Sequence, residues 1–170
     1  SSHFAPDPAR LTAADQGVVF RENGVQTTVP PDFFSTSFFT DKLISYIEQN
    51  RGDGKPFLAL ATYTAPHWPL QVPEDYIDRY KGKYDGGYEL IRKRRIARQK
   101  ALGIIPRDFE PHEPFPSSAQ LPAWDDLTPE QKKFEARRME IFAALVEHLD
   151  ANIGKLLNYL KRTGQYDDTF

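Results

Sequence analysis

Apolar residues recur at intervals of three and four in the second half of the chain, which is the spacing of one helix face. This pattern runs from Phe134 to Leu160. It predicts a helix of about 35 residues, or about 50 Å in length. Residues 128–131, Thr-Pro-Glu-Gln, form a capping box with Pro at the first helical position, and Gly164 marks the end. The sequence thus delimits this helix at both ends.

A second predicted unit combines a helix with a strand. Ser35 or Thr36 is placed to cap a helix that ends near Asn50. The Arg-Gly-Asp triplet 51–53 then supplies the glycine of a helix C-terminus rather than an adhesion motif. Residues 57–64 are apolar on both faces, as in a strand buried between helices. A helix followed by such a strand predicts the α/β fold class, with one buried strand and a long C-terminal helix.

Shorter elements fill the middle and the end of the chain. Helices are predicted over residues 74–80 and 88–102, with a Gly-rich turn between them. Residues 103–127 are irregular and rich in Pro. Thr169-Phe170 is interpreted as the first step of a further strand.

The first part of the chain lacks periodicity. Residues 1–35 are broken by Pro and Gly, and they contain a predicted hairpin within 17–25 with an Asn23-Gly24 turn. We therefore divide the chain into an irregular segment, 1–35, and a partial α/β domain, 36–170.

Composition excludes several classes of protein. The chain has 170 residues, with 22 Lys plus Arg against 24 Asp plus Glu and a formal net charge of −2. This balance argues against a protein that coats nucleic acid. No apolar run approaches the roughly 18 residues that cross a bilayer, so no membrane partner is predicted. The absence of Cys removes disulfides, thiolate metal ligands and cysteine nucleophiles.

His67 is the strongest candidate for chemistry. It lies three residues past the predicted strand 57–64, and ligands of open α/β sheets bind beyond the carboxyl ends of strands. Pro66 and Pro69 restrict the backbone on either side, and Trp68 adds bulk. An imidazole here can donate to an anion or pass a proton to a leaving oxygen near neutral pH. The alternative is a loop histidine bonded to nearby backbone.

The other charged groups have structural interpretations. Six cations within residues 92–100 lack interleaved aromatics, which favours a solvated helix face over a phosphate or nucleic-acid site. The acidic pairs 125–126 and 167–168 belong to a helix N-terminus and a turn rather than to a calcium loop. We expect His148 to pack beside the apolar stripe of the long helix, whereas His3 carries little information. No complete catalytic motif is present.

A set of segments outside these generic motifs carries a family resemblance. The most specific is Thr64-Ala65-Pro66-His67-Trp68-Pro69-Leu70-Gln71, which follows Lys55-Pro56-Phe57. The others are residues 34–36, 40–42, 80–87, 95–106 and 139–154. Together they resemble arylsulfatases, the type I sulfatase branch of the alkaline phosphatase-like superfamily, from about residue 33 to residue 170.

The resemblance implies a fold and a reaction. The fold would be an alkaline phosphatase-like mixed-sheet sandwich, and the reaction would be hydrolysis of sulfate monoesters. The nucleophile would be a formylglycine hydrate, and a calcium ion would polarise the sulfate. For His67 the resemblance implies both substrate binding, through contact with the sulfate, and a catalytic role as acid for the leaving alcohol. The implied partner is a sulfate-ester small molecule or a sulfated glycan.

The chain also departs from the family pattern. It lacks the Cys-x-Pro-x-Arg motif and the early Asp pair, and the later metal segment is expected beyond Phe170. We therefore expect an internal fragment of an arylsulfatase that is inactive alone, holds no metal ligand, binds no calcium and self-associates. The alternatives are a phosphoester or phosphonate hydrolase of the same superfamily, and a non-catalytic helical binding module. The compartment stays open between bacterial periplasm and cytoplasm.

Overall fold

The computed structural model describes residues 3–5, 19–113 and 122–170. Two short strands come first, and helices follow. A 3₁₀ turn over Asp78–Tyr80 extends the second helix, and another over Trp124–Asp126 precedes the last. The elements are β1 (Phe20–Glu22), β2 (Val25–Thr27), α1 (Ser35–Gln49), α2 (Glu74–Ile77), α3 (Gly87–Ala101) and α4 (Pro129–Arg162).

The predicted C-terminal helix is confirmed as α4. The Thr128 hydroxyl accepts from the Gln131 amide at 3.2 Å, and the Gln131 side chain accepts from the Thr128 amide at 2.8 Å. These two bonds satisfy donors that the first helical turn leaves unpaired. Beyond the end of the helix, Gly164 has a φ of +71°, the left-handed conformation that favours glycine.

Helix α1 lies where it was predicted, but its first turn is built differently. The residue before the helix is Phe34, which makes no side-chain capping bond, so the expected cap by Ser35 or Thr36 is wrong. Ser35 is instead the first helical residue, and its hydroxyl lies 3.3 Å from Nδ1 of His3. A tertiary contact therefore replaces the local cap.

The core forms where α1 and α2 pack against one face of α4. Phe34 before α1 and Ile77 of α2 share a buried cluster with Ala144 and Leu145 of α4. A second cluster joins Ile47 of α1 to the far end of α4. Leu145 and Leu160 of the predicted stripe are buried, whereas Phe134 is 63% and Ile153 38% exposed, so only part of the stripe lies in this core. Among the described helices, none is long and apolar enough to cross a membrane.

The prediction of a buried strand over residues 57–64 is wrong for this structure. The segment is not assigned as a strand, and Leu58 is 100% and Leu60 81% exposed. A strand needs a neighbour for its amides and carbonyls, and in the described residues only β1 and β2 form a sheet. Thr169-Phe170 likewise starts no strand. The expected mixed-sheet sandwich is therefore not seen in this part of the chain.

The hairpin is confirmed over the residues that the structure describes. β1 and β2 pair antiparallel around Asn23 and Gly24, whose φ angles are +52° and +81°. Two positive φ values are the signature of the tight turn that Asn-Gly favours. Residues 17 and 18 of the predicted hairpin lie outside the described residues. The helices predicted over 74–80 and 88–102 are also confirmed, the latter one residue earlier at each end.

Candidate functional site

The His67 loop is attached to the core on both sides of the histidine. Ala65 and Val72 are buried in the cluster that includes Leu145 of α4, and Leu70 packs on it. Within the loop, the His67 amide donates to the Thr64 carbonyl at 2.8 Å. The Ala65–Pro66 and Trp68–Pro69 peptide bonds are cis. The loop therefore holds a fixed position on α4 while His67 itself remains exposed.

The ring of His67 has one nitrogen with an assigned role. Its Nδ1 lies 2.7 Å from the Trp68 carbonyl oxygen. A carbonyl oxygen only accepts, so Nδ1 carries a hydrogen. Nε2 is then the ring nitrogen that is left to contact a substrate. This arrangement leaves one acid–base atom available at an exposed position.

A buried histidine holds this loop from behind. His3 is 0% exposed, and its Nε2 lies 3.0 Å from the His67 carbonyl oxygen. The His3 amide donates to the Gln71 side chain at 2.9 Å, and the Ser35 amide donates to the His3 carbonyl at 2.7 Å. Sequence reasoning gave His3 no role. No periodicity or motif signals a contact between residues 64 positions apart.

A cleft of about 350 Å³ adjoins His67 on the side of α4. Pro66 and Trp68, the two neighbours of His67, contribute to its wall. The Arg138 guanidinium lies 5.2 Å from the centre of the Trp68 ring and is paired with Glu135 at 2.8 Å. A cation over an indole face is a favourable contact, so Arg138 stabilises Trp68 at the wall of the cleft.

His148 is a packed structural residue, as predicted. It is buried, and its Nε2 lies 3.2 Å from the Ser37 hydroxyl. The rings of Phe34 and Tyr76 meet it edge-on. Burial disfavours the charged ring and lowers the pKa of His148, while the nearby Asp75 carboxylate opposes that shift. Burial therefore favours the neutral form of this histidine.

The charged runs lie on or next to the helices near which the sequence placed them. The basic run 92–100 lies on α3, where its side chains are exposed or half-buried. The pair 125–126 ends the 3₁₀ turn before α4, and the pair 167–168 lies in a turn after it. In the part of the chain that the structure describes, no three His, Asp or Glu side chains converge to hold a metal ion.

Comparison with known proteins defines the family. A protein-family model described as sulfatase matches residues 11–170. The chain therefore belongs to the sulfatase family, whose fold is of the alkaline phosphatase type, and the resemblance seen in its sequence is confirmed.

Two relatives match almost the whole chain. An uncharacterised sulfatase of Schizosaccharomyces pombe is 39% identical over 99% of this chain and 31% of its own length. The arylsulfatase of Klebsiella aerogenes is 39% identical over 99% of this chain and 35% of its own length. A multifunctional alkaline phosphatase superfamily protein of Trinickia caryophylli is 26% identical over 83% of this chain and 26% of its own length. The chain thus spans about a third of the two sulfatases.

Proposed function

We propose that this chain is part of a sulfuric ester hydrolase of the arylsulfatase type, in which His67 contacts the sulfate ester. One observation carries the proposal: the His67 ring is exposed on a loop that is fixed by buried contacts on both sides. A loop that is fixed in this way holds the exposed imidazole in one place, as contact with a bound substrate requires. The sulfatase membership of the chain supports the substrate class that we propose, a sulfate-ester small molecule or a sulfated glycan.

The chemistry assigned to His67 is a proton transfer. As a nucleophile supplied by another segment of the full-length protein bonds to sulfur, the bond between sulfur and the leaving oxygen breaks, and that oxygen gains negative charge and needs a proton. Nε2 of a protonated His67 supplies it, while Nδ1 keeps its hydrogen bond to the Trp68 carbonyl. Before the bond breaks, the same imidazolium stabilises the anionic sulfate by charge and hydrogen bonding. One side chain therefore serves in binding and in catalysis.

Calcium and formylglycine, which the family resemblance implies, do not fit the residues of this chain. No metal-ligating cluster is found among residues 3–5, 19–113 and 122–170. The sequence contains no Cys, the usual precursor of formylglycine. The proton transfer assigned to His67 uses neither group, and we propose that these parts of the reaction belong to other segments of the full-length protein. The expectation that this chain alone is inactive follows from the same proposal.

The test is a pair of histidine variants in the full-length protein. With 4-nitrophenyl sulfate as substrate, His67→Ala is expected to lower kcat by about 10²-fold or more, the usual contribution of a general acid. His112→Ala is the matched control, since His112 is also exposed and its Nδ1 also bonds the next carbonyl, at 2.6 Å. The control is expected to change kcat by less than about twofold, as surface substitutions do. Sulfatase activity of His67→Ala close to that of the unaltered protein would contradict the proposal.

A phosphoester or phosphonate hydrolase is the second candidate. The 26% identity to a multifunctional alkaline phosphatase superfamily protein favours it as a specific alternative. An imidazolium binds a phosphate ester by the same charge-assisted bonds as a sulfate ester. Turnover of 4-nitrophenyl sulfate, 4-nitrophenyl phosphate and a phenylphosphonate ester by the same preparation distinguishes the two. A non-catalytic helical binding module would be indicated if the full-length protein hydrolysed none of the three.

A further inference from the structure

We propose that His3 is a positioning residue that fixes the backbone of His67 and thereby the direction of its imidazole. This inference rests on the function proposed for His67. His3 does not reach the surface, so it acts on the substrate only through the loop that it holds.

The hydrogen bonds of the His3 ring define its tautomer. Its Nε2 lies 3.0 Å from the His67 carbonyl oxygen, which can only accept, so Nε2 carries a hydrogen and donates. In the neutral ring, Nδ1 then accepts from the Ser35 hydroxyl at 3.3 Å. Both ring nitrogens are thus used, one by the loop and one by α1. The ring also stacks on Phe34, with 5.9 Å between ring centres.

The backbone of His3 adds two further attachments. Its amide donates to the Gln71 side chain at 2.9 Å, at the far end of the loop. Its carbonyl accepts from the Ser35 amide at 2.7 Å, at the first residue of α1. One residue therefore ties two points of the loop to the start of a helix. Because α1 packs on α4, His3 connects the loop through α1 to the same core that contains Leu145.

The contact at His67 has a direct geometric consequence. The carbonyl bonded by His3 is one covalent bond from the Cα that carries the imidazole. Its orientation therefore helps to set the direction in which the His67 side chain leaves the backbone. Without the Nε2 donor this carbonyl would lose its partner at the buried edge of the loop, and the loop would turn to solvate it. A displacement of about 1 Å at a reacting group costs about 10²-fold in rate.

Two amide variants separate positioning from folding. In His3→Gln the side-chain amide can reach the place of Nε2 and donate to His67, whereas in His3→Asn the shorter side chain reaches only the place of Nδ1. Both are made in the full-length protein, and near-UV circular dichroism checks that both are folded. With 4-nitrophenyl sulfate we expect His3→Gln to keep kcat within about threefold, and His3→Asn to lose about tenfold or more.

The leaving group gives a readout that a merely structural role would not move. Phenolate is a poorer leaving group than 4-nitrophenolate, so hydrolysis of phenyl sulfate depends more on the proton from His67. We expect the loss caused by His3→Asn to be larger for phenyl sulfate than for 4-nitrophenyl sulfate. If either amide variant fails to fold, Ser35→Ala replaces it, because it weakens the His3 tether without altering the loop. Ser35→Ala is expected to show the same leaving-group bias with a smaller loss.

The outcomes distinguish failure of this inference from failure of the proposed function. If His67→Ala retains activity, the function proposed for His67 fails, and the inference fails with it. If His67→Ala is impaired while His3→Asn and His3→Gln are equally active, only the positioning role is overturned. Equal losses for the two leaving groups in His3→Asn, or in Ser35→Ala where it replaces that variant, would also overturn it. Recovery by His3→Gln alone, with the leaving-group bias, supports it.

Discussion

Glu140 connects the middle of α4 to the turn that precedes α3, and its removal gives the sharpest test of the packing described above. Its side chain is only 7% exposed. One carboxylate oxygen accepts from the Gly82 amide at 2.7 Å, and the other accepts from the Arg137 guanidinium at 2.9 Å. Gly82 has a φ of +75°, so the turn that presents its amide depends on glycine.

The two bonds of Glu140 are expected to contribute unequally. A hydrogen bond from a backbone amide to a charged acceptor contributes about 1.5–3 kcal/mol. The Arg137 side chain is 48% exposed, so solvent screens that pair to about 0–1 kcal/mol. We therefore expect Glu140→Ala to destabilise the turn by about 2–3 kcal/mol, mostly through the Gly82 amide. Glu140→Gln keeps an acceptor without the charge, and we expect a cost of about 1 kcal/mol.

Hydrogen exchange of the Gly82 amide in the full-length protein measures this effect locally. Since 1.4 kcal/mol is tenfold in an equilibrium constant, Glu140→Ala should speed exchange by about 30- to 140-fold and Glu140→Gln by about fivefold. Glu135→Gln is the matched control, because Glu135 pairs with Arg138 at the same helical spacing but does not contact the turn. An exchange rate at Gly82 in Glu140→Ala within about threefold of that in the unaltered protein would refute the reasoning, since a loss of about 2 kcal/mol speeds exchange by far more than threefold.

Two further predictions concern pH and assembly. Burial holds the pKa of His148 below its usual range, so the unfolded chain binds the proton more readily as pH falls through about 6.5. The free energy of unfolding therefore falls on acidification. His148→Gln should remove that part of the pH dependence of the urea midpoint. An unchanged pH slope in the variant would contradict this. The isolated 170-residue chain exposes Leu58 and Leu60 and is expected to sediment faster as its concentration rises. Leu58→Lys should weaken that trend, and a monomer at every concentration would exclude self-association.

The elements predicted well from the sequence are those whose determinants are local. The capping box at Thr128, the Asn23-Gly24 turn and the glycine after α4 each lie within a few residues of the bond or angle that they specify. Helix spacing is local in the same sense, because neighbours on one face are three or four residues apart. The prediction that Ser35 caps α1 was wrong because the Ser35 hydroxyl has a competing partner, the ring of His3, which is distant in sequence.

The candidate site could be predicted only in part. His67 was singled out as a candidate because its position after an apolar run and between two prolines is visible in the sequence. His3, which contacts the His67 carbonyl, was not predicted from the sequence, since it lies 64 positions away and shares no pattern with the loop. The packing of His148 against the core was predicted from its place beside an apolar stripe, but its bond to Ser37 spans 111 positions and needs the folded arrangement of α1 on α4. Tertiary contacts between polar groups leave no periodic trace.

The failed strand has a different cause. Apolar residues on both faces indicate that residues 57–64 are suited to burial, but burial is a property of the segment together with its neighbours. Fully burying one leucine contributes about 1.5–3 kcal/mol, and in this structure Leu58 gains none of it. That free energy remains available to any surface that pairs with the segment. The sulfatases that match this chain are about three times as long, and we propose that further strands of the full-length protein supply the pairing. In the isolated chain, the surface that can cover residues 57–64 is a second copy of the chain. The exposure of this segment is therefore the reason that we predict self-association.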